Sequence, residues 1–107
     1  MCKVRDDREN NQLPRVSVVM GLYNCERTLG RAVESIISQS YAQWELIMCD
    51  DASTDDSFRV ACRYAEQDAR IKAIRNERNE GCNIVLNRCI AMARGEYVAV
   101  MDSDDIS

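Results

Sequence analysis

Apolar residues along this chain recur with two alternating periods, which predicts a regular succession of strands and helices. Runs of consecutive apolar and β-branched residues, typical of strands buried on both faces, occupy 16–21, 44–49, 71–74 and 96–101. The run at 71–74 is weaker and suits a strand near an edge of the sheet.

Three helices are predicted between these strands. The first spans 28–39 and the third spans 82–93, with Gly95 ending the third. The second follows a capping-box pattern formed by Ser53 and Asp56. The apolar residues that share one helix face are Leu29, Ala32, Val33, Ile36 and Ile37, then Phe58, Ala61, Cys62 and Ala65, then Val85, Leu86, Cys89, Ile90 and Ala93.

The order β-α-β-α-β-α-β predicts an α/β fold, a Rossmann-like three-layer αβα arrangement around a mainly parallel four-stranded sheet. If the strand order is 3-2-1-4, the first and fourth strands are neighbours at the switch point where such sheets bind ligands. Polar loops follow the first, second and fourth strands and would meet at that edge. Their candidate site residues are Tyr23, Asn24, Asp50, Asp51, Asp102, Asp104 and Asp105.

Charge and cysteine content narrow the function classes. The chain of 107 residues has a formal net charge of −4 and no run of Lys or Arg, so no nucleic-acid partner is indicated. It contains no His, which excludes zinc hydrolase chemistry and Ser–His or Cys–His catalysis within this chain. None of the six cysteines has C-x-x-C spacing, so we expect reduced thiols in a cytoplasmic protein. The polar segment 1–14 predicts a flexible tail, and no apolar stretch is long enough to span a bilayer.

The acidic cluster after the fourth strand suggests a metal site. Carboxylates at the spacing of Asp102, Asp104 and Asp105 suit Mg²⁺ or Mn²⁺, ions that are commonly shared with a substrate diphosphate. A solvated acidic turn would also explain these residues. Because the chain has no glycine-rich phosphate motif, a phosphate beside these aspartates requires a divalent cation. The sequence therefore favours a metal-bridged nucleotide diphosphate.

The polar residues after the first two strands have alternative roles. Asp51 ends a strand and could accept a hydrogen bond from a base or ribose, or serve structure alone. Tyr23 could stack on a base or pack a loop, and Asn24 is expected to cap the first helix. Asp55 and Asp56 near a helix start interact favourably with the helix dipole.

A non-catalytic regulatory module with a receiver-like α/β fold, binding metal or nucleotide, is the main alternative function. A receiver places its acidic pair after the first strand, whereas here the uncharged residues 21–24 follow that strand. A phosphatase with a nucleophilic aspartate in D-x-D is a third class, but that motif should follow an early strand. The two alternatives therefore fit the chain less well than a nucleotide diphosphate site.

Three ordered blocks of this sequence resemble the start of family 2 glycosyltransferases of the GT-A fold. They are VSVVMGLYN, SIISQSYAQWELIMCDDASTDDS and NEG followed by LNRCIAMARGEYVAVMDSDD. The resemblance implies that 15–107 is the nucleotide-sugar-binding part of a GT-A domain. It further implies base binding by Tyr23 and Asp51, a nucleotide-pocket position for Asn79, ribose or sugar contact by Asp102, and metal binding by Asp104 with support from Asp105.

The same resemblance implies an inverting glycosyltransferase of cell-envelope polysaccharide biosynthesis, with a UDP-sugar as the expected donor and a saccharide or lipid-linked hydroxyl as acceptor. The family often has Pro before Tyr-Asn, where this chain has Gly21 and Leu22. In the family the acceptor half and its general base follow the D-x-D motif. We therefore expect the chain to be truncated after the donor site, to hold no catalytic base and to be inactive alone. We also expect the full-length protein to be peripheral at the inner face of the membrane.

Without that following half, apolar residues near the end of the chain should be uncovered. The residues concerned are Ile90, Met92, Val98 and Val100. Exposed apolar surface of this kind favours association, so self-association of the chain is a further prediction.

Overall fold

A computed structural model describes residues 14–39 and 42–101 of the chain. Its elements are β1 (Val16–Leu22), α1 (Glu26–Ile37), β2 (Trp44–Asp50), α2 (Ser57–Gln67), β3 (Ile71–Arg75), α3 (Cys82–Met92) and β4 (Tyr97–Val100). The predicted alternation of strands and helices is confirmed. The boundaries agree closely, and the largest difference is at α1, which begins and ends two residues earlier than predicted.

The four strands form one parallel sheet with the predicted order β3-β2-β1-β4. β1 pairs with β2 from Val16↔Trp44 to Leu22↔Asp50, and β4 pairs with the other edge of β1 from Val16↔Tyr97 to Val19↔Val100. Strand order therefore reverses beside β1, and the ends of β1 and β4 lie together at the switch point.

Helices cover both faces of the sheet, which confirms the three-layer arrangement. On one face, α1 and α2 enclose a core that includes Met20, Leu46 and Met48. On the other face, α3 packs over Val19 and Ile47. Every residue of β2 is buried, as expected for a central strand covered by helices on both sides.

The predicted helix faces are confirmed in part. The α1 face is confirmed, with four of its five residues buried and Ile37 half-buried. On α2 only Ala61 of the predicted set is fully buried, because this helix lies largely over the edge strand β3. On α3, Val85 and Cys89 are buried, whereas Ile90 is 44% exposed, which agrees with the prediction that it is uncovered. It follows the buried Cys89 directly, and one helical step of about 100° turns it away from the sheet.

The second helix does not begin with the predicted capping box. α2 starts at Ser57 after Asp56, and Ser53 instead donates from Oγ to Asp50 Oδ1 at 2.6 Å. The first N–H of α2 is satisfied by Asp55, whose Oδ1 accepts from Ser57 N at 2.9 Å and from Ser57 Oγ at 2.5 Å. The Ser57 hydroxyl bond is the main reason that the pKa of Asp55 lies below its usual value.

A buried carboxylate at the opposite end of the sheet ties the connection between α3 and β4 to β1 and β2. Glu45, on β2, accepts at Oε2 from Ser17 Oγ at 2.6 Å and from Arg94 N at 2.8 Å. Lys72 Nζ lies 3.5 Å from its Oε1. Burial raises the pKa of Glu45, but hydrogen bonds from Ser17 and Arg94 and the nearby cations outweigh it, so that the pKa lies below its usual value.

Gly95 does not end α3 as predicted, because the helix ends at Met92 and Ala93 is already extended; Gly95 instead has a packing role at this corner. Its N–H donates to Ser17 Oγ at 2.8 Å, and a Cβ at this position would lie 2.8 Å from Ser17 N and 2.9 Å from Arg15 O. Only glycine allows so close an approach of two backbones. The corner therefore fixes the register in which β4 joins β1 on its way to the switch point.

The outer strand β4 presents apolar side chains to the surface. Val98 is 43% exposed and Val100 is 58% exposed, as predicted, whereas Met92 is half-buried against the α3 side of the core. Self-association through these residues stays a prediction. Across the two described ranges, no helix combines the length and apolar content that crossing a bilayer requires.

Candidate functional site

A cavity of about 310 Å³ opens where β1 and β4 end. Three residues predicted from the sequence line it: Tyr23, Asp51 and Asn79. Its other lining residues are Gly21, Leu22, Gly81, Cys82, Val85, Leu86, Val100 and Met101. An apolar pocket with a few polar groups at one side is the usual form of a small-molecule site.

Asp51 is a buried carboxylate held by three hydrogen bonds. Its Oδ1 accepts from Glu80 N at 2.8 Å and from Asn76 Nδ2 at 3.0 Å, and its Oδ2 accepts from Gly81 N at 3.0 Å. Burial raises the pKa of Asp51, but these bonds outweigh it and hold the pKa below its usual value. Asp51 is therefore an ionised acceptor with a fixed orientation.

The loop between β3 and α3 wraps around this carboxylate. Gly81 adopts a left-handed φ of 98°, which glycine tolerates, and its N–H and that of Glu80 converge on Asp51. Asn79 lies in the same loop, is exposed and lines the cavity. The position of Asn79 in the site therefore depends on the bonds that Asp51 makes.

Asn76 is a member of this network that the sequence did not reveal. It is buried, its N–H donates to Asp50 O at 2.8 Å, and its side chain donates to Asp51. The sequence signal was a single polar residue directly after β3, which ends at the same edge of the sheet. A lone asparagine there is equally typical of an ordinary turn.

Tyr23 lies at the mouth of the cavity, with 51% of its surface exposed. It directly follows the end of β1, where Leu22 O accepts from Asp51 N at 2.8 Å, so its main chain begins close to Asp51. An exposed aromatic ring beside a fixed carboxylate can offer both a stacking face and a hydrogen-bond acceptor to a planar ligand.

Two residues that the predicted strand order assigned to the site, Asp50 and Asn24, do not line the cavity. Asp50 is fully buried and accepts from Ser53 N at 2.9 Å, and Arg75 Nε lies 3.5 Å from its Oδ2. The carboxylate of Asp50, the last residue of β2, is thus engaged by Ser53 and Arg75 and does not line the cavity with Asp51. Asn24 does not cap α1 as expected, because its Oδ1 accepts from Thr54 N at 2.9 Å in the neighbouring loop.

The predicted metal and sugar ligands Asp102, Asp104 and Asp105 lie outside the described residues. Met101, directly before them, donates its N–H to Val19 O at 3.0 Å and lines the cavity with Val100. In 14–39 and 42–101, no group of three His, Cys, Asp or Glu side chains could hold a metal ion. The roles of these three aspartates therefore stay predictions.

The sequence matches the family model of glycosyl transferase family 2 over residues 17–107, so the chain belongs to this family. It is 54% identical over 98 residues to the protein named "Putative glycosyltransferase EpsE" of Bacillus subtilis (strain 168), covering 91% of this chain and 35% of that protein. It is 38% identical over 91 residues to the UDP-Glc:alpha-D-GlcNAc-diphosphoundecaprenol beta-1,3-glucosyltransferase WfgD of Escherichia coli, covering 85% of this chain and 35% of that protein. The chain thus spans about a third of the length of these relatives.

Two solved structures share this fold at 28% sequence identity. S. aureus TarS 1-349 in complex with UDP-GlcNAc superposes with a TM-score of 0.81 at 28% identity, covering 86% of this chain and 27% of that one. The mannosyltransferase PcManGT from Pyrobaculum calidifontis, in complex with GDP-Man and Mn2+, gives a TM-score of 0.78 at 28% identity, covering 88% and 28%. These matches confirm the GT-A fold and favour a glycosyltransferase over the receiver-like regulatory module.

Proposed function

We propose that this chain forms the donor site of an inverting glycosyltransferase that takes its sugar from a UDP-sugar. The observation that carries this proposal is the ionised Asp51 held inside the cavity at the switch point, with Tyr23 beside it. Family membership supports sugar transfer as the reaction class.

The base would bind at Asp51. Because the pKa of Asp51 is lowered, its carboxylate only accepts hydrogen bonds and needs a base that presents an N–H group. Uracil presents its N3–H between two carbonyl oxygens, whereas cytosine carries a lone pair at the same position. Oδ2 accepts one bond from Gly81, whereas Oδ1 accepts two, so Oδ2 has capacity left for this contact. Guanine also carries an imide N–H, so this contact distinguishes uracil from cytosine but not from guanine.

The sugar and diphosphate would lie beyond the base, toward the residues after β4. Asp102 would contact the ribose or sugar, and Asp104, supported by Asp105, would hold Mg²⁺ or Mn²⁺. Their oxygen donors suit these hard cations, which keep part of their coordination for substrate phosphates. A divalent cation at this position would neutralise charge that develops on the departing diphosphate.

The names of similar proteins support the substrate class. WfgD is named for UDP-Glc as donor and for a diphosphoundecaprenol-linked GlcNAc as acceptor, and TarS was solved with UDP-GlcNAc. PcManGT was solved with GDP-Man and Mn2+. By this likeness we propose a saccharide or lipid-linked acceptor, and a cytoplasmic protein that is peripheral at the membrane. Residues 15–107 would be the donor part, with the general base outside this chain, so that the chain alone would not catalyse transfer.

Calorimetric titration of the full chain with UDP, with and without Mn²⁺, tests the proposal. We expect UDP to bind in the presence of Mn²⁺, and Asp104→Ala to weaken binding by about tenfold by removing a charge-assisted metal contact. Glu66→Ala, at an exposed position on α2, is the matched acidic control and should bind UDP as the unaltered chain does. Absence of UDP binding would overturn the donor site, and Mn²⁺ dependence that survives Asp104→Ala would overturn the metal assignment.

A further inference from the structure

The two loops that carry Tyr23 and Asp51 are joined by hydrogen bonds between residues about 30 positions apart in the chain. Asn24 N donates to Ser53 Oγ at 2.9 Å. Asn24 Oδ1 accepts from Thr54 N at 2.9 Å and from Thr54 Oγ1 at 3.2 Å. We call Asn24, Ser53 and Thr54 the rim latch. Both the main chain and the side chain of Asn24 take part in it.

Each of the two cavity residues is followed directly by a residue in the left-handed region. Asn24 follows Tyr23 with φ 49°, and Ala52 follows Asp51 with φ 61°. Non-glycine residues occupy this region at a cost, although asparagine tolerates it better than most. The chain therefore turns sharply after both cavity residues, and the rim latch holds the two turns against each other.

The latch continues inward to the residue beside Asp51. Ser53, which accepts from Asn24, donates from Oγ to Asp50 Oδ1 at 2.6 Å, and Ser53 N donates to Asp50 Oδ2 at 2.9 Å. Asp50 is fully buried at the end of β2. A continuous set of hydrogen bonds thus runs from the neighbour of Tyr23 to the neighbour of Asp51.

We propose that Asn24 is a positioning residue that holds Tyr23 in a fixed place relative to Asp51 without contacting the nucleotide itself. Asn24 does not line the cavity, so its effect on binding passes through Tyr23. This inference rests on the proposed function, since nucleotide affinity is its main readout. It gives Asn24 a role other than the helix cap expected from the sequence.

Asn24→Gly is the perturbation, because glycine tolerates the left-handed backbone and removes the side chain whose Oδ1 accepts from Thr54. Loss of its two bonds to Thr54 should weaken UDP binding by about tenfold. Asn24→Asp keeps an acceptor oxygen at the same place and should recover most of the affinity. The matched control is Tyr64→Phe, which removes a 3.0 Å bond from Tyr64 Oη to Glu34 Oε2 between α1 and α2 and should leave UDP affinity unchanged.

A double-mutant cycle separates positioning from general support of the fold. With Tyr23→Ala in place, Asn24→Gly should have little further effect on UDP affinity, because the group it positions is already gone. If Asn24→Gly weakens binding by the same factor with and without Tyr23, or if Asn24→Asp binds no better than Asn24→Gly, the proposal is overturned.

Amide hydrogen exchange tests the rim latch without a ligand. In Asn24→Gly, the amides of Thr54 and Asp51 should exchange faster, while that of Leu46, which donates to Arg70 O at 2.8 Å in the sheet, should not change. A chain that does not bind UDP but shows this exchange pattern would overturn the proposed function and leave the latch supported. Unchanged exchange at Thr54 and Asp51 would overturn the latch.

Discussion

Replacing Glu45 by Gln tests how strongly the buried carboxylate stabilises the corner between α3 and β4. Its two bonds from Ser17 Oγ and Arg94 N are short and charge-assisted, and bonds to charged groups contribute about 1.5–3 kcal/mol each. The paired cations contribute less, about 0–1 kcal/mol each, because Lys72 and Arg94 are 38% and 51% exposed. Glutamine would keep one acceptor oxygen. Its NH₂ group would replace the other oxygen and would face donors from which it cannot accept.

We expect Glu45→Gln to lower the free energy of unfolding by about 2 kcal/mol at pH 7, which corresponds to a melting temperature about 10 °C lower for a domain of this size. Urea and thermal unfolding followed by circular dichroism would measure this. The matched control is Glu96→Gln, which removes the charge from an ion pair with Arg15 at 3.2 Å in which both side chains are more than half exposed. That change should cost less than about 0.5 kcal/mol.

The difference between Glu45 and Gln should depend on pH in a defined direction. Because the folded pKa of Glu45 is lowered, its contribution to stability is complete above the unfolded pKa of about 4.3. It is lost as the pH falls through the folded pKa. The stability difference should therefore be full at pH 7 and shrink in acid. Equal stability of the two proteins at pH 7, or a difference that grows below pH 4, would refute the reasoning.

Two further predictions concern close packing in the core. Gly95→Ala should destabilise the chain by about 1–3 kcal/mol in urea unfolding, because a Cβ would meet the backbone of Ser17, and a loss below about 0.5 kcal/mol would contradict the described contact. Cys89 should resist alkylation by iodoacetamide at pH 8 in the folded chain, since it is fully buried and burial raises its pKa to about 11. The exposed Cys82 should be modified under the same conditions, as mass spectrometry would show, and modification of Cys89 at a similar rate would contradict the burial.

The fold could be predicted from local pattern because each element carries its own period. Continuous apolar runs such as 44–49 and the 3.6-residue period of α1 suffice to order the elements, and the handedness of βαβ units restricts the topology. The predicted order 3-2-1-4 then brings Tyr23 and Asp51 to one edge, where the structure has them.

The hydrogen-bond partners could not be predicted, because they lie far apart in sequence. Asp51 is bound by Glu80, which is 29 positions away, and Asn24 by Thr54, which is 30 positions away. Neither pairing leaves a local signal in composition or spacing. The role of Glu45 could not be predicted for a different reason, because a single acidic residue inside an apolar run does not show whether its side chain is buried.

Nucleotide titration of the chain, followed by amide NMR in the presence of Mn²⁺, tests the central claim most directly. UDP should shift the amide signals of Tyr23, which lines the cavity beside Asp51, and of Glu80 and Gly81, whose N–H groups donate to Asp51. CDP should need about tenfold higher concentration for the same shifts, because cytosine places a lone pair where the Asp51 carboxylate requires a donor. Equal responses to UDP and CDP, or no shifts at these three amides with UDP, would contradict a uracil nucleotide site at Asp51.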